Sequence, residues 1–159
     1  MTMRTATVTL DGDGLRFRAT AGSGHALVID DSTGGAGFRP AELVPVALAG
    51  CTAMDVISIL RKKRQPITSY EVRTEGTQRD GRQPAIYTRI DVLHVVDGPA
   101  ELDIAAVRRA IELSATKYCA VSATLATGAT EVHHAYLVRR PGLPDERAEV
   151  IVEGPHAAA

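Results

Sequence analysis

Tryptophan is missing from this chain, and only two Phe and four Tyr occur among its 159 residues. The interior must therefore be filled by aliphatic side chains and alanine. Cysteine is as scarce. Cys51 and Cys119 stand 68 positions apart, which excludes the dense disulfide framework of a small secreted domain. Neither sign of charge is in excess, and a formal net charge of −1 gives no electrostatic case for nucleic acid. The opening M-T-M-R-T-A-T-V-T-L holds no apolar run of signal-peptide length and reads as a strand. A cytoplasmic protein whose thiols rest reduced is expected.

Several catalytic signatures are lacking as well. There is no C-x-x-C and no H-E-x-x-H, so no metal is expected from ligand spacing. No nucleophile elbow occurs, and Gly34-Gly35 followed by Gly37 lacks the Lys-Ser/Thr ending of a phosphate loop. No cofactor site is expected. His133 and His134 are adjacent on a strand, point to opposite faces and cannot share one ion. His94 shares a strand face with Ile90, Val92 and Val96, which predicts a hydrogen-bonded structural histidine.

What is present is ordinary globular composition, 45% hydrophobic and 23% charged. Its length suits one domain, placed at 1–140, followed by a tail at 141–159 with an extra strand at Ala148–Val152. Thr5–Leu10, Leu15–Thr20 and His25–Asp30 read as short strands around two turn signals, with a Gly-rich loop at Asp31–Gly37. A long helix follows from about Glu42 to Arg64, with Pro45 in its first turn and Pro66 as its stop. Thr68–Glu75 and Ile86–Val96 alternate as strands. Asp103 is the expected N-cap of a helix carrying Ile104, Val107 and Ile111 on one face. After a break near Tyr118 come a short helix at Cys119–Leu125 and a strand at Glu131–Val138. Strands grouped around helices, without regular βαβ alternation, predict an α+β fold.

The most apolar stretch, Leu43–Leu60, is 18 residues long with Asp55 as its one charge. By length it could span a membrane. Ala, Gly, Thr and Ser soften it, Asp55 would lie deep in the bilayer, and both flanks read as amphipathic strands. The expectation is the buried helix of a compact domain, with no membrane partner. Thr52, Asp55 and Ser58 form a polar stripe along it. A buried carboxylate needs a partner, so Asp55 is expected to meet an Arg or backbone N–H groups, as a structural pair or as part of a site.

Cys51 sits in the middle of this stretch. Its setting, E-L-V-P-V-A-L-A-G-C-T-A-M-D-V-I-S-I-L over Glu42–Leu60, and the second setting Y-C-A-V-S-A-T-L over Tyr118–Leu125 resemble the OsmC/Ohr superfamily of thiol-dependent hydroperoxide reductases and their relatives. Gly22-Ser23-Gly24-His25 fits the same branch. The resemblance runs from about Leu15 to Val138. It implies an OsmC-like, intertwined homodimer with antiparallel sheets wrapped around two central helices and active sites at the subunit interface.

It also implies a two-cysteine cycle. Cys51 would be the peroxidatic thiol that attacks an organic hydroperoxide and becomes a sulfenic acid. Cys119 would be the resolving thiol, and a dithiol reductant, such as a lipoylated protein, would reopen the disulfide. In such enzymes an Arg and a Glu flank the thiolate. Here Arg16 is the chosen arginine, with Arg39 as runner-up, and Glu42 is the carboxylate at hand. The sequence departs from the pattern in one respect. The family's Glu follows a Pro ten positions before the cysteine, where this chain has Ala41. Glu42 lies about 180° around a continuous helix from the thiol, which suits a partner of the helix N-terminus. Two readings follow. One is a thiol peroxidase for organic hydroperoxides. The other is a non-catalytic OsmC-like protein that binds a small apolar ligand at the dimer interface or senses redox state.

Overall fold

The structure, a computed structural model, describes residues 3–155. Its contacts gather into two compact units, divided along the sequence between Val44 and Pro45. In the first unit β1 (Ala6–Leu10), β2 (Phe17–Ala21) and β3 (Ala26–Ile29) form a three-stranded antiparallel sheet in sequence order. Both expected turns form. Gly12 takes a positive φ of 95° between β1 and β2, a conformation that a side chain would disfavour. The Asp31–Gly37 loop is held by carboxylates: Asp30 accepts from the backbone N–H groups of Asp31 and Ala36, and Asp31 accepts from those of Thr33 and Gly34. Val8, Leu10, Leu15 and Phe38 are exposed in this unit.

A 3-10 turn, Pro40–Glu42, precedes α1 (Leu43–Lys62). The sequence pattern extends this helix to Arg64, whereas regular helix stops at Lys62. Arg64 adopts a left-handed φ of 54°, and the Gln65 N–H reaches back to the Leu60 carbonyl at 3.0 Å. That closes the helix before Pro66 is reached. Leu48, Thr52, Val56 and Leu60 are buried at a spacing of four, so one face of α1 is committed to the interior. α1, with the turn before it, is the one helix among the described residues long and apolar enough to cross a membrane.

The second unit holds a four-stranded sheet, ordered β4 (Ser69–Gln78), β5 (Tyr87–Asp97), β6 (Glu131–Arg139) and β7 (Glu146–Glu153). The expectation of antiparallel sheets holds for β4–β5 and β6–β7, but β5 and β6 run parallel. The reason lies in the connection. α2 (Ile104–Leu113), a π turn (Ser114–Tyr118) and α3 (Ala120–Ala126) lie between β5 and β6, and a crossover of that length returns the chain in the same direction. Asp103 caps α2 as predicted, accepting from the Ala105 N–H. The strand foreseen at Ala148–Val152 is real and longer: it is β7. The core joins Val56 and Leu60 of α1 with Leu102, Val107, Ala110 and Ile111, and with Val96, Tyr136 and Val138 of the sheet.

Candidate dithiol site

Two breaks in regular helix put the second thiol beside the first. α2 ends in the π turn, where the Cys119 N–H bonds the Ser114 carbonyl at 2.8 Å. Cys119 is then extended, at φ −73° and ψ 98°, and becomes the N-cap of α3 in place of the usual hydroxyl or carboxylate side chain. Its sulfur accepts from the Ser122 N–H at 3.4 Å. Cys51 and Asp55 stand one turn apart on the same side of α1. The two sulfurs and a carboxylate oxygen of Asp55 all lie within 4.8 Å of one another, and both cysteines are free thiols.

The thiols differ in setting. Cys51 is half-buried and Cys119 buried, at 1% exposure. Burial, followed by the hydrogen bond with Cys51, pushes the Cys119 thiol up to about 12, while the Ser122 N–H pulls it the other way. A cleft of about 420 Å³ opens beside Asp55. Ser58 and Ile59 of α1, Leu113 and Tyr118 line it, together with Lys62 and Lys63.

Among the described residues Asp55 meets neither an Arg nor a set of backbone N–H groups in its hydrogen bonds; its partner is a hydroxyl. Ser114 Oγ donates to Asp55 Oδ2 at 3.1 Å and lies 3.0 Å from Thr52 Oγ1. A hydroxyl has one proton to give, so Thr52 donates to Ser114 and Ser114 to Asp55. Two of the three stripe residues thus form one relay that aims the carboxylate. The partner comes from the π turn, which no helical or strand periodicity announces.

A second polar line crosses the sheet face behind the helices. His94 is fully buried and meets the Tyr70 hydroxyl through Nδ1 at 2.8 Å, as the sequence reading expected. Its ring stacks on that of His134 at 5.9 Å between centroids. Burial, then His134, lowers His94 to about 3, so it is neutral at pH 7. Ser122 Oγ donates to Glu153 at 2.6 Å and therefore accepts from His134 Nε2 at 3.3 Å. His133, on the opposite face, meets Glu131 and Glu149. Ser114, Ser122, Tyr70 and Glu153 were not singled out from the sequence. Only Ser122, inside the second cysteine motif, carried a signal.

The proposed charged partners lie in the first unit, each in an ion pair of its own. Arg16 Nε is 3.1 Å from Asp11, just ahead of β2 rather than within it. Glu42 accepts from the Arg39 backbone N–H at 3.0 Å and is 2.9 Å from the Arg39 guanidinium. This is the helix-entry role that its spacing suggested.

Comparison with known proteins places this geometry. Residues 32–135 match the sequence profile of OsmC-like proteins. The chain belongs to the OsmC-like family. It is 39% identical to protein YhfA of Escherichia coli strain K12 over 126 residues, spanning 79% of this chain and 92% of YhfA. Among solved structures, an OsmC-like protein from Mycoplasma pneumoniae superposes with a TM-score of 0.73 at 14% identity, covering 86% of this chain and 97% of that one. An organic hydroperoxide resistance protein OsmC from Legionella pneumophila superposes with a TM-score of 0.62 at 11% identity, covering 87% of this chain and 97% of that one. At those identities the two structures establish the shared fold.

Proposed function

We propose that this OsmC-like protein is a thiol peroxidase that reduces organic hydroperoxides through Cys51 and Cys119. The observation that carries the proposal is the pair of free sulfurs within 4.8 Å of one another, one half-buried and one buried. Cys51, as thiolate, attacks the hydroperoxide O–O bond, releases the alcohol and becomes a sulfenic acid. The Cys119 sulfur then attacks Cys51, the thiol proton and the sulfenic oxygen with its hydrogen leave as water, and a disulfide forms. A dithiol reductant of the dihydrolipoyl type returns both thiols by exchange. Unequal burial suits unequal roles: the accessible sulfur meets substrate, and the buried, protonated one waits for the sulfenic acid. The hydroperoxide resistance named for the Legionella protein supports the same chemistry.

Arg16 and Glu42 are the charged residues proposed to assist, and a cytoplasmic homodimer is the proposed state. The exposed apolar residues of the first sheet give the dimer its physical basis, because a three-stranded sheet needs cover for its apolar side chains. One observation favours the second reading, a non-catalytic ligand-binding protein or redox sensor. Ala41 stands at the family's glutamate position, and Glu42 is engaged with Arg39.

The deciding experiment exposes reduced protein to cumene hydroperoxide. The peroxidase reading requires a product lighter by two hydrogens, with Cys51 and Cys119 linked. It also requires a Cys51→Ser variant without turnover, and a Cys119→Ser variant that consumes about one equivalent and stalls. Peroxide left untouched at neutral pH, with both thiols still titratable, replaces the enzyme by the second reading. Ala41→Glu is then the informative rescue.

A further inference from the structure

Three donor atoms of the chemistry that thiophilic divalent cations favour converge at one point. Cys51 Sγ, Cys119 Sγ and an oxygen of Asp55 lie within 4.8 Å of one another. Two come from successive turns of α1 and the third from the cap of α3, so three rigid attachments already hold them. A tetrahedral zinc ion with Zn–S bonds of about 2.3 Å and a Zn–O bond of about 2.1 Å sets its ligands roughly 3.5–3.8 Å apart. The observed spacing of up to 4.8 Å exceeds that by about 1 Å, so binding draws the three side chains inward.

The surroundings match a ligand shell in a second respect. Metal-bound carboxylates and thiolates are held by outer hydrogen bonds that fix their direction and moderate their charge. Here Asp55 is aimed by Ser114, which Thr52 fixes in turn, and the Cys119 sulfur accepts the Ser122 N–H. The cleft beside Asp55 reaches the carboxylate from solvent, though neither cysteine lines it.

We propose that the reduced protein binds one zinc-class, thiophilic divalent cation through Cys51, Asp55 and Cys119. The two thiols give up their protons to solvent as the two metal–sulfur bonds form, and no electrons move. Because both sulfurs are ligands, cation and disulfide exclude each other. Oxidation of the pair expels the cation, and a bound cation shields the thiols from peroxide. This inference does not rest on the peroxidase reading, since its binding test contains no peroxide.

The test titrates anaerobically reduced protein with cadmium, read by thiolate-to-cadmium charge-transfer absorption, and with zinc, read by competition with a chromophoric chelator. One cation per chain is expected, with about two protons released per zinc. The disulfide form should not bind at this site. Cys51→Ser and Cys119→Ser should each weaken zinc by roughly a hundredfold or more, and Asp55→Asn by about tenfold. Circular dichroism shows which variants are folded. X-ray absorption of the zinc-loaded wild type, which needs no variant, should show two sulfur neighbours at about 2.3 Å with oxygen completing the shell. Zinc bound equally well by both serine variants, an all-nitrogen-and-oxygen shell, or a folded Asp55→Asn with unchanged affinity overturns the proposal.

Discussion

Alkylation of Cys119 is the most direct probe of the geometry around the thiol pair. Only the thiolate reacts with iodoacetamide, so the rate at neutral pH tracks the ionised fraction. Burial and the neighbouring Cys51 push Cys119 from 9.0 up to about 12. Three pH units amount to roughly a thousandfold fewer thiolates well below either value, tenfold per unit. Native reduced protein, sampled over time and analysed by peptide mass spectrometry, should label Cys119 slower than the same cysteine in urea by about three orders of magnitude from ionisation, and slower still because the sulfur is buried. Cys51→Ala removes the hydrogen bond and the charge of the neighbour but leaves burial, which is the larger cause. Labelling should then speed up yet stay below the unfolded rate. Equal rates in native and unfolded protein at pH 7 would refute the buried, protonated resolving thiol. The division of roles between the cysteines would fall with it.

Two further outcomes are expected. His94 protonates near 6.5 when unfolded and near 3 when folded, lowered by burial and by His134, which with Tyr70 packs against it. Between those values the unfolded chain binds the extra proton, so stability falls as pH drops through that window, by at most about 1.4 kcal/mol per pH unit from this group. His94→Phe should flatten that acid limb in urea unfolding between pH 7 and pH 4, although it leaves Tyr70 without its partner and lowers stability at pH 7. An unchanged slope would show that His94 does not titrate in this way. Sedimentation at micromolar concentration should give a dimer, because Val8, Leu10, Leu15 and Phe38 need cover; a folded monomer would remove the interface from the functional proposal.

The legible parts of the chain were those set by local rules. Alternation placed His94 on the face of Ile90, Val92 and Val96 and put His133 and His134 on opposite faces, because strand side chains alternate whatever the rest of the molecule does. Asp103 was identifiable as a cap because an Asp ahead of an apolar helical face has few other uses. The parallel pairing of β5 and β6 was not legible, since direction depends on how two helices and a π turn together return the chain. Nor was the end of α1, where Arg64 occupies a left-handed position that usually goes to glycine.

The same division explains the site. The cysteine motifs showed that two thiols matter, but the relation between them is made by the turn at Ser114–Tyr118, where regular α-helix gives way. Asp55 read as a charge needing an Arg or a set of backbone N–H groups. Its partner, Ser114, lies in that turn, so a periodicity argument had no route to it. The family pattern looks for a carboxylate ahead of the cysteine, and this chain has Ala41 there. Within the second unit, the carboxylate beside both sulfurs comes instead from one helical turn after Cys51, oriented by two hydroxyls. A search for a carboxylate within reach of this dithiol therefore starts at Asp55.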